Sequence, residues 1–369
     1  MQPETIIISN SHDFRVRVNE YESVWNDKGK RTRASTPKRS AVFLVEKSKL
    51  VASSDCFYDM FASSKRMEAS VDEITLQEEN VMAMGVLFHC VHKQLRETSP
   101  MPTPITAKSV AMEGVWHLAG ACEKYHIDMK MPAVRGWFAA WYEAHKYDKG
   151  FHSEAMFPSY CFNYAAGFQV STRHLVYNSY QHISEHNPTK EDKLHLPPRV
   201  IQQLNNARGR LRHVLHTNLD KDIRSLLRRD SCTCRKETHY NYHRELDRIE
   251  VEPLAITTRS YTINRLLGRL EEFNATNVRP ANATVCVACD KNWGAIIRNA
   301  IAEVTKYFDG LCLDCMNVSA LLDHGRDPDH EYWHPLRGLW DINCRIKHGD
   351  ATYYFSCMGR REKKTLISW

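Results

Sequence analysis

Val42-Phe43-Leu44-Val45-Glu46-Lys47-Ser48-Lys49-Leu50-Val51-Ala52-Ser53-Ser54-Asp55-Cys56-Phe57-Tyr58-Asp59-Met60-Phe61 decides how the first third of this chain is read. An unbroken apolar run of strand length, Ala41 to Val45, passes through a polar step into a helix that starts near Ser48. Leu50, Phe57 and Phe61 recur at roughly helical spacing and so face a core. Upstream, Asp13-Phe14-Arg15-Val16-Arg17-Val18 alternates apolar and polar residues, as a half-buried strand does. From about 26 to 40 the chain is rich in Lys, Arg, Ser and Thr without periodicity, and reads as a mobile connection between strands. Downstream, Ser70 to Leu76 alternates again, with Ile74 and Leu76 on one face. Glu78 and Glu79 then fall in the first turn of a helix, where the dipole favours acids. Val81, Met84, Phe88 and Val91 form its apolar stripe. Ser99-Pro100-Met101-Pro102-Thr103-Pro104 must be a loop. Val110 to Tyr125 carries a further helix, with Val115, Leu118, Ala119 and Cys122 inward.

This order of strand, loop, strand into helix, strand into helix, helix resembles the BTB/POZ family. The family's Leu-x-x-x-Ser-x-x-Phe pattern is matched by Leu50, Ser54 and Phe57, with Phe61 as the later aromatic. Ile74-Thr75-Leu76 resembles the strand before the next helix. Ala121-Cys122-Glu123-Lys124-Tyr125 resembles the Ala-x-Lys-Tyr segment. The resemblance spans roughly residues 12–130. Two positions depart from it: Glu46 stands where the family often has His, and His89 or His92 replaces an aromatic. The resemblance implies association with itself or with other proteins and, in many members, recruitment of a cullin-type ubiquitin ligase.

With 369 residues, 43% of them hydrophobic and 10% aromatic, the chain has material for two or three cores. Met1-Gln2-Pro3-Glu4-Thr5 carries no basic n-region and no long apolar stretch, so a secretory leader is not expected. No run approaches the roughly 20 apolar residues of a membrane span. An intracellular protein, in nucleus or cytoplasm, is the expectation. Its twelve cysteines are then free thiols and metal ligands rather than disulfides. Cys56, Cys90, Cys122 and Cys161 lie in apolar helical contexts and are expected in cores. The net charge of +6 is concentrated: Arg199 to Arg248 holds twelve Lys/Arg against six Asp/Glu. Such a run is ordinarily a solvated face. Its alternative use is contact with nucleic-acid phosphates, with Arg208, Arg210, Arg212, Arg228 and Arg229 as first contacts.

Residues 131–200 read as further helices, one marked by Val134, Trp137, Phe138 and Trp141. Pro197-Pro198 is a candidate boundary. Val200 to Leu227 is helical and basic. Beyond it come two knuckles, Cys286-x2-Cys289 and Cys312-x2-Cys315, separated by 22 residues. Four thiolates suffice to close a tetrahedral zinc shell. Ile297, Ile301, Val304 and Phe308 place a helix between the knuckles, and Gly310 permits the turn into the second. The alternative is that the four cysteines pack reduced, as small hydrophobes. A weaker second set comprises Cys232, Cys234, His239, Cys344 and His348. These residues form a second zinc site among themselves or cross-brace with the knuckles, and spacing leaves the pairing open. One or two structural zinc ions are expected. His324, His330 and His334 read as surface residues. The segment around Cys312, Cys315, Cys344 and His348, with Thr352-Tyr353-Tyr354-Phe355, resembles the C-terminal region of uncharacterised filamentous-fungal BTB proteins.

No glycine-rich phosphate loop, Gly-x-Ser-x-Gly elbow or His-Glu-x-x-His motif occurs. A closed thiolate shell is structural, whereas catalytic zinc keeps an open position. The expected architecture is therefore α+β. A BTB/POZ-like α/β domain occupies 12–130, a helical extension 131–200, and a mostly helical zinc-stapled domain 201–369. The expected role is a non-enzymatic adaptor or scaffold with protein partners, itself included and a cullin among the candidates. A nucleic-acid-associated regulator is the alternative.

Overall fold

A computed structural model describes residues 3–25, 31–62, 72–92, 105–189, 191, 193–227, 234–254, 257, 260–280, 286–287, 289–316 and 344–347. The chain divides into two compact units. One comprises Met1–Gly167 with Glu185–His195, the other Phe168–Ser184 with Leu196–Trp369. The helical stretch expected over 131–200 is thus shared between the two.

The first unit is built on a mixed four-stranded sheet of β1 (Glu4–Ile7), β5 (Arg39–Val45), β2 (Phe14–Glu20) and β6 (Glu73–Gln77), in that spatial order. β2 runs antiparallel to β5. β1 runs parallel to β5, and β6 parallel to β2. Ile6, Phe43, Val16 and Ile74 stand in register across all four strands, and all four are buried. That row explains the alternation read in β2 and β6, because residues two apart share a face of the pleat. β3 (Ser23–Trp25) and β4 (Arg31–Arg33) pair antiparallel. The connection expected to be mobile from about 26 to 40 therefore carries a paired strand and the start of β5.

Helix α1 (Lys47–Ser53) and helix α2 (Asp55–Ala62) replace the single helix expected after β5. Ser54 is extended, with φ −153° and ψ 122°, and breaks the run. Its hydroxyl accepts from the Phe57 amide at 3.0 Å, capping α2. Helix α3 (Val81–His92) is buried from Ala83 through Cys90 without interruption. A helix apolar on every side is a core helix. A Cβ at Gly85 would meet Ile105 Cδ1 at 2.3 Å and a Phe43 ring carbon at 3.2 Å, so a larger residue there would require both side chains to shift. The first turn of α3 is not acidic, contrary to expectation: Asn80 Oδ1 caps it, accepting from the Ala83 amide at 2.9 Å. Helices α4 (Met112–Lys124), α5 (Pro132–His145) and α6 (Phe151–Cys161) complete the unit. Trp141 Nε1 donates to the Val110 carbonyl at 2.8 Å, and Trp116 Nε1 to that of Glu154 at 2.9 Å. Val91, expected in the apolar stripe of its helix, is only half-buried, as is Trp137. Cys90 and Cys122 are buried as expected, while Cys56 and Cys161 are half-buried.

The second unit is helical. It contains α7 (Ala165–Asn178) from Phe168 onward, the 30-residue α8 (Pro198–Leu227), α9 (Arg235–Arg248), α10 (Ile263–Glu271) and α11 (Trp293–Thr305). Pro198 opens α8, where a missing amide costs nothing. Leu204, Leu211, Leu215, Leu219 and Ile223 of α8 are buried at helical spacing, together with Leu246, Leu266, Leu270, Ile297 and Val304 from the later helices. Among the described residues no helix is long and apolar enough to cross a membrane.

Candidate functional site: motif core and cysteine clusters

The motif residues of the first unit converge. Leu50, Ser54, Phe57, Phe61 and Tyr125 are all buried. The Phe57 ring stacks on that of Tyr125 with centroids 5.0 Å apart and 3° between planes, and lies 6.1 Å from Phe61. Ser54 Oγ donates to the Tyr125 carbonyl, tying the α1–α2 break to the end of α4. Glu79, read from the sequence only as an acid at a helix start, is the residue that reasoning missed. It is buried, its carboxylate accepts from the Tyr125 hydroxyl at 2.8 Å, and it forms an ion pair with Lys124. Burial and then the facing Glu79 push the Tyr125 phenol pKa up. Glu46 accepts from Ser9 Oγ at 2.5 Å, and its amide donates to His92 Nε2 at 2.9 Å. That bond makes Nε2 an acceptor, so His92 Nδ1 carries the proton and donates to the Phe88 carbonyl at 2.7 Å.

In the second unit the six described cysteines form two clusters. Cys234, Cys286 and Cys289 make one; Cys312, Cys315 and Cys344 make the other. Within each, the sulfur atoms lie within 4.8 Å of one another. Ligands in a tetrahedral zinc–thiolate shell sit about 3.8 Å apart, from Zn–S bonds of about 2.3 Å. Cys315 and Cys344 sulfurs are 3.6 Å apart, which fits such a shell and is far too long for a disulfide. No cysteine among the described residues forms a disulfide. Each cluster can hold a metal ion.

This corrects the single four-thiolate shell. Helix α11 stands between the knuckles, and its 13 residues rise about 20 Å. Cys289 precedes its N-cap, Asn292, whose Oδ1 accepts from the Ala295 amide at 2.9 Å. Cys312 follows its far end, where the Tyr177 hydroxyl donates to the Val304 carbonyl at 2.8 Å and accepts from the Phe308 amide at 3.4 Å. The two knuckles fall in different clusters. The second set also divides otherwise than drawn from spacing: Cys234 joins the first knuckle and Cys344 the second, so those two share no site. His239 joins neither cluster. It is half-buried against His243, ring centroids 4.5 Å apart, and burial followed by that neighbour lowers its pKa.

The local sequence builds each cluster. In the first, Cys234 is the N-cap of α9. The Cys289 and Asp290 amides donate to the Cys286 carbonyl at 2.9 and 3.0 Å, closing the knuckle turn. Lys291 Nζ donates to Asp222 Oδ1 at 2.7 Å and Ser225 Oγ at 3.0 Å, fixing the knuckle to the end of α8. The buried Glu245 of α9 accepts from Arg248, from Asn277 Nδ2 at 2.7 Å and from the Asn274 amide at 2.8 Å. Burial opposes its charge, but these donors outweigh it and hold its pKa near about 2. The Tyr242 ring packs 5.0 Å from Trp293, joining α9 to α11.

In the second cluster, Gly310 has φ +99°, and a Cβ there would strike the Gln169 carbonyl at 2.3 Å, so the turn admits only glycine. The Leu311 amide donates to Thr172 Oγ1 at 2.9 Å. Asp314 grips the segment bearing Cys344: its Oδ2 accepts from the Arg345 amide at 2.8 Å, and its Oδ1 from Arg345 Nη2 at 2.7 Å. Burial, and then neighbouring Cys312, pushes the Cys344 thiol up to about 12. Lys291, Glu245, Asp314 and Arg345 carried no sequence signal, because each works through a partner far along the chain.

Arg208 of α8 is nine-tenths buried and Arg212 half-buried, its Nη2 donating to the Tyr180 carbonyl at 3.3 Å. Burial, and for Arg208 the adjacent Arg212, lowers their pKa values. Arg210 is half-buried. Arg228, Arg229, Cys232, His324, His330, His334 and His348 lie outside the described residues. No protein-family model, no curated protein and no solved structure matches this chain.

Proposed function

We propose that this chain is a non-catalytic interaction protein, an adaptor or scaffold whose first unit is a BTB/POZ-like docking module and whose second unit is stapled by zinc. The observation that carries the reading is that Leu50, Ser54, Phe57, Phe61 and Tyr125 are buried together, with the exposed Lys124 and the Tyr125 hydroxyl both on Glu79. That these positions lie together in one core is consistent with the motif and supports this reading. Association with a second copy, and engagement of a cullin-type ligase scaffold, are what the family resemblance adds.

Zinc is the metal that suits the donor set. Soft thiolates select zinc over hard cations such as magnesium or calcium. Bound there, zinc supplies a crosslink whose binding energy is also folding energy. Cys232 and His348, two residues before Cys234 and four after Cys344, are the sequence's own candidates for the remaining ligands.

Light scattering of the intact chain over a range of concentrations, with affinity capture from its native cell type, tests the docking reading. A mass of twice the chain, or recovery of a cullin that is lost when residues 12–130 are removed, supports it. A monomer at every concentration with no cullin recovered refutes it.

A further inference from the structure

We infer that the second unit holds two separate mononuclear zinc centres, one on Cys234, Cys286 and Cys289 and the other on Cys312, Cys315 and Cys344. The inference rests on the zinc assignment proposed above and fixes what spacing left open, the number of ions and the residues that share each. Three observations carry it. The sulfurs gather in two groups, each compact enough for one ion. Cys289 lies three residues before Asn292, the N-cap of α11, and Cys312 seven residues after Thr305, its last residue, and no cysteine is shared between the groups. Each group has its own tether independent of the other's: Lys291 to Asp222 and Ser225 on α8 for the first, Asp314 to Arg345 for the second.

The pairing also says what each ion does. The first ties the start of α9 to the knuckle ahead of α11. The second ties the knuckle behind α11 to the segment 344–347, whose Lys347 carbonyl also accepts from Gln169 Nε2 of α7 at 3.2 Å. Neither ion binds the two knuckles to each other.

The test is zinc content per full-length chain, by native mass spectrometry after passage over a chelating resin. Two ions are expected in the parent chain, one in Cys234→Ala, one in Cys344→Ala and none in the double variant. A single ion that survives both substitutions restores the shared four-thiolate shell and overturns the pairing. Two ions untouched by either substitution also overturn it. No ion at all overturns the pairing together with the zinc assignment, while leaving the docking proposal to its own test. Because an alanine variant can misfold, cadmium-113 resonances of the unmutated chain give a second readout. Two resonances are expected, and one refutes the inference. Cys234→His, which keeps a ligand in place, should restore the second ion that Cys234→Ala loses.

Discussion

Phe57→Ala is the sharpest test of the first unit. Phe57 is fully buried, stacked on Tyr125 at 5.0 Å and flanked by Phe61 at 6.1 Å and Phe88 at 6.5 Å. Removing the ring forfeits about 2 kcal/mol of transfer free energy. It also opens a void of roughly 100 Å³, worth about 2.4 kcal/mol at 24 cal/mol per Å³. The walls belong to α2, α3 and the end of α4, each held by its own hydrogen bonds, so the void has little means of collapse. A loss of about 4 kcal/mol follows, at the middle of the range for such truncations. In a unit of this size each kcal/mol moves the midpoint by about 2–4 °C, giving a fall of about 8–16 °C. Calorimetry of the full-length chain reads it, with zinc content as the control on the second unit. A fall equivalent to less than about 1 kcal/mol would mean that Phe57 is not the keystone of this core.

Glu79 separates charge from hydrogen bonding. Glu79→Gln keeps an acceptor for Tyr125 and should cost below about 1 kcal/mol, because Lys124 is largely exposed. Glu79→Leu leaves the Tyr125 hydroxyl buried without it and should cost about 1–3 kcal/mol; equal urea midpoints for the two would contradict the geometry. His89 is buried, its Nε2 lacks a partner among the described residues, and burial followed by His92 lowers its pKa to about 4. The folded state therefore favours neutral imidazole, so this contribution is complete above about pH 6.5 and falls by about 3 kcal/mol as pH drops to about 4. Urea midpoints across that window should decline less in His89→Gln, and an unchanged slope would assign the decline elsewhere. Chelator should strip zinc in two phases of equal amplitude, read with a zinc dye. Val287 at the tip of the first knuckle is 96% exposed and Cys286 half-buried, whereas Cys312, Leu313 and Cys315 are at most 2% exposed. The fast phase belongs to the first centre, and Cys344→Ala should leave that phase alone; survival of the slow phase would reverse the assignment.

What could be read from the chain beforehand was what repeats locally. The alternation of β2 and β6, the stripes of α3 and α4, and the long α8 rest on periods of two or 3.6 residues that few competing arrangements satisfy. β1 went unread, because four residues pairing in parallel with a strand far along the chain leave almost no periodic trace. The break at Ser54 was masked by Leu50, Phe57 and Phe61, whose spacing fits one helix as well as two. The cysteines show the same division. Each knuckle is legible as a two-residue spacing, and thiol chemistry marks both as places that can hold a metal ion. The partner of each knuckle is not legible, since it depends on contacts far along the chain such as Asp314 to Arg345. Arg208 shows the limit of charge counting: twelve basic residues in one run say nothing about which of them the fold turns inward.

The order of the six cysteines has a consequence for how the protein is made. In the two-centre arrangement proposed above, the loop from Cys234 to Cys289 would end before the loop from Cys312 to Cys344 begins, so the two would neither nest nor interleave. A chain emerging from the ribosome can complete the first closure while the residues of the second are still unmade, and no segment has to thread through a ring already shut. Each closure restrains only its own stretch of the unfolded chain, at an entropy that grows slowly with loop length. On that proposal, assembly of the second unit would proceed as two consecutive decisions, and an error in the later one would leave the earlier intact.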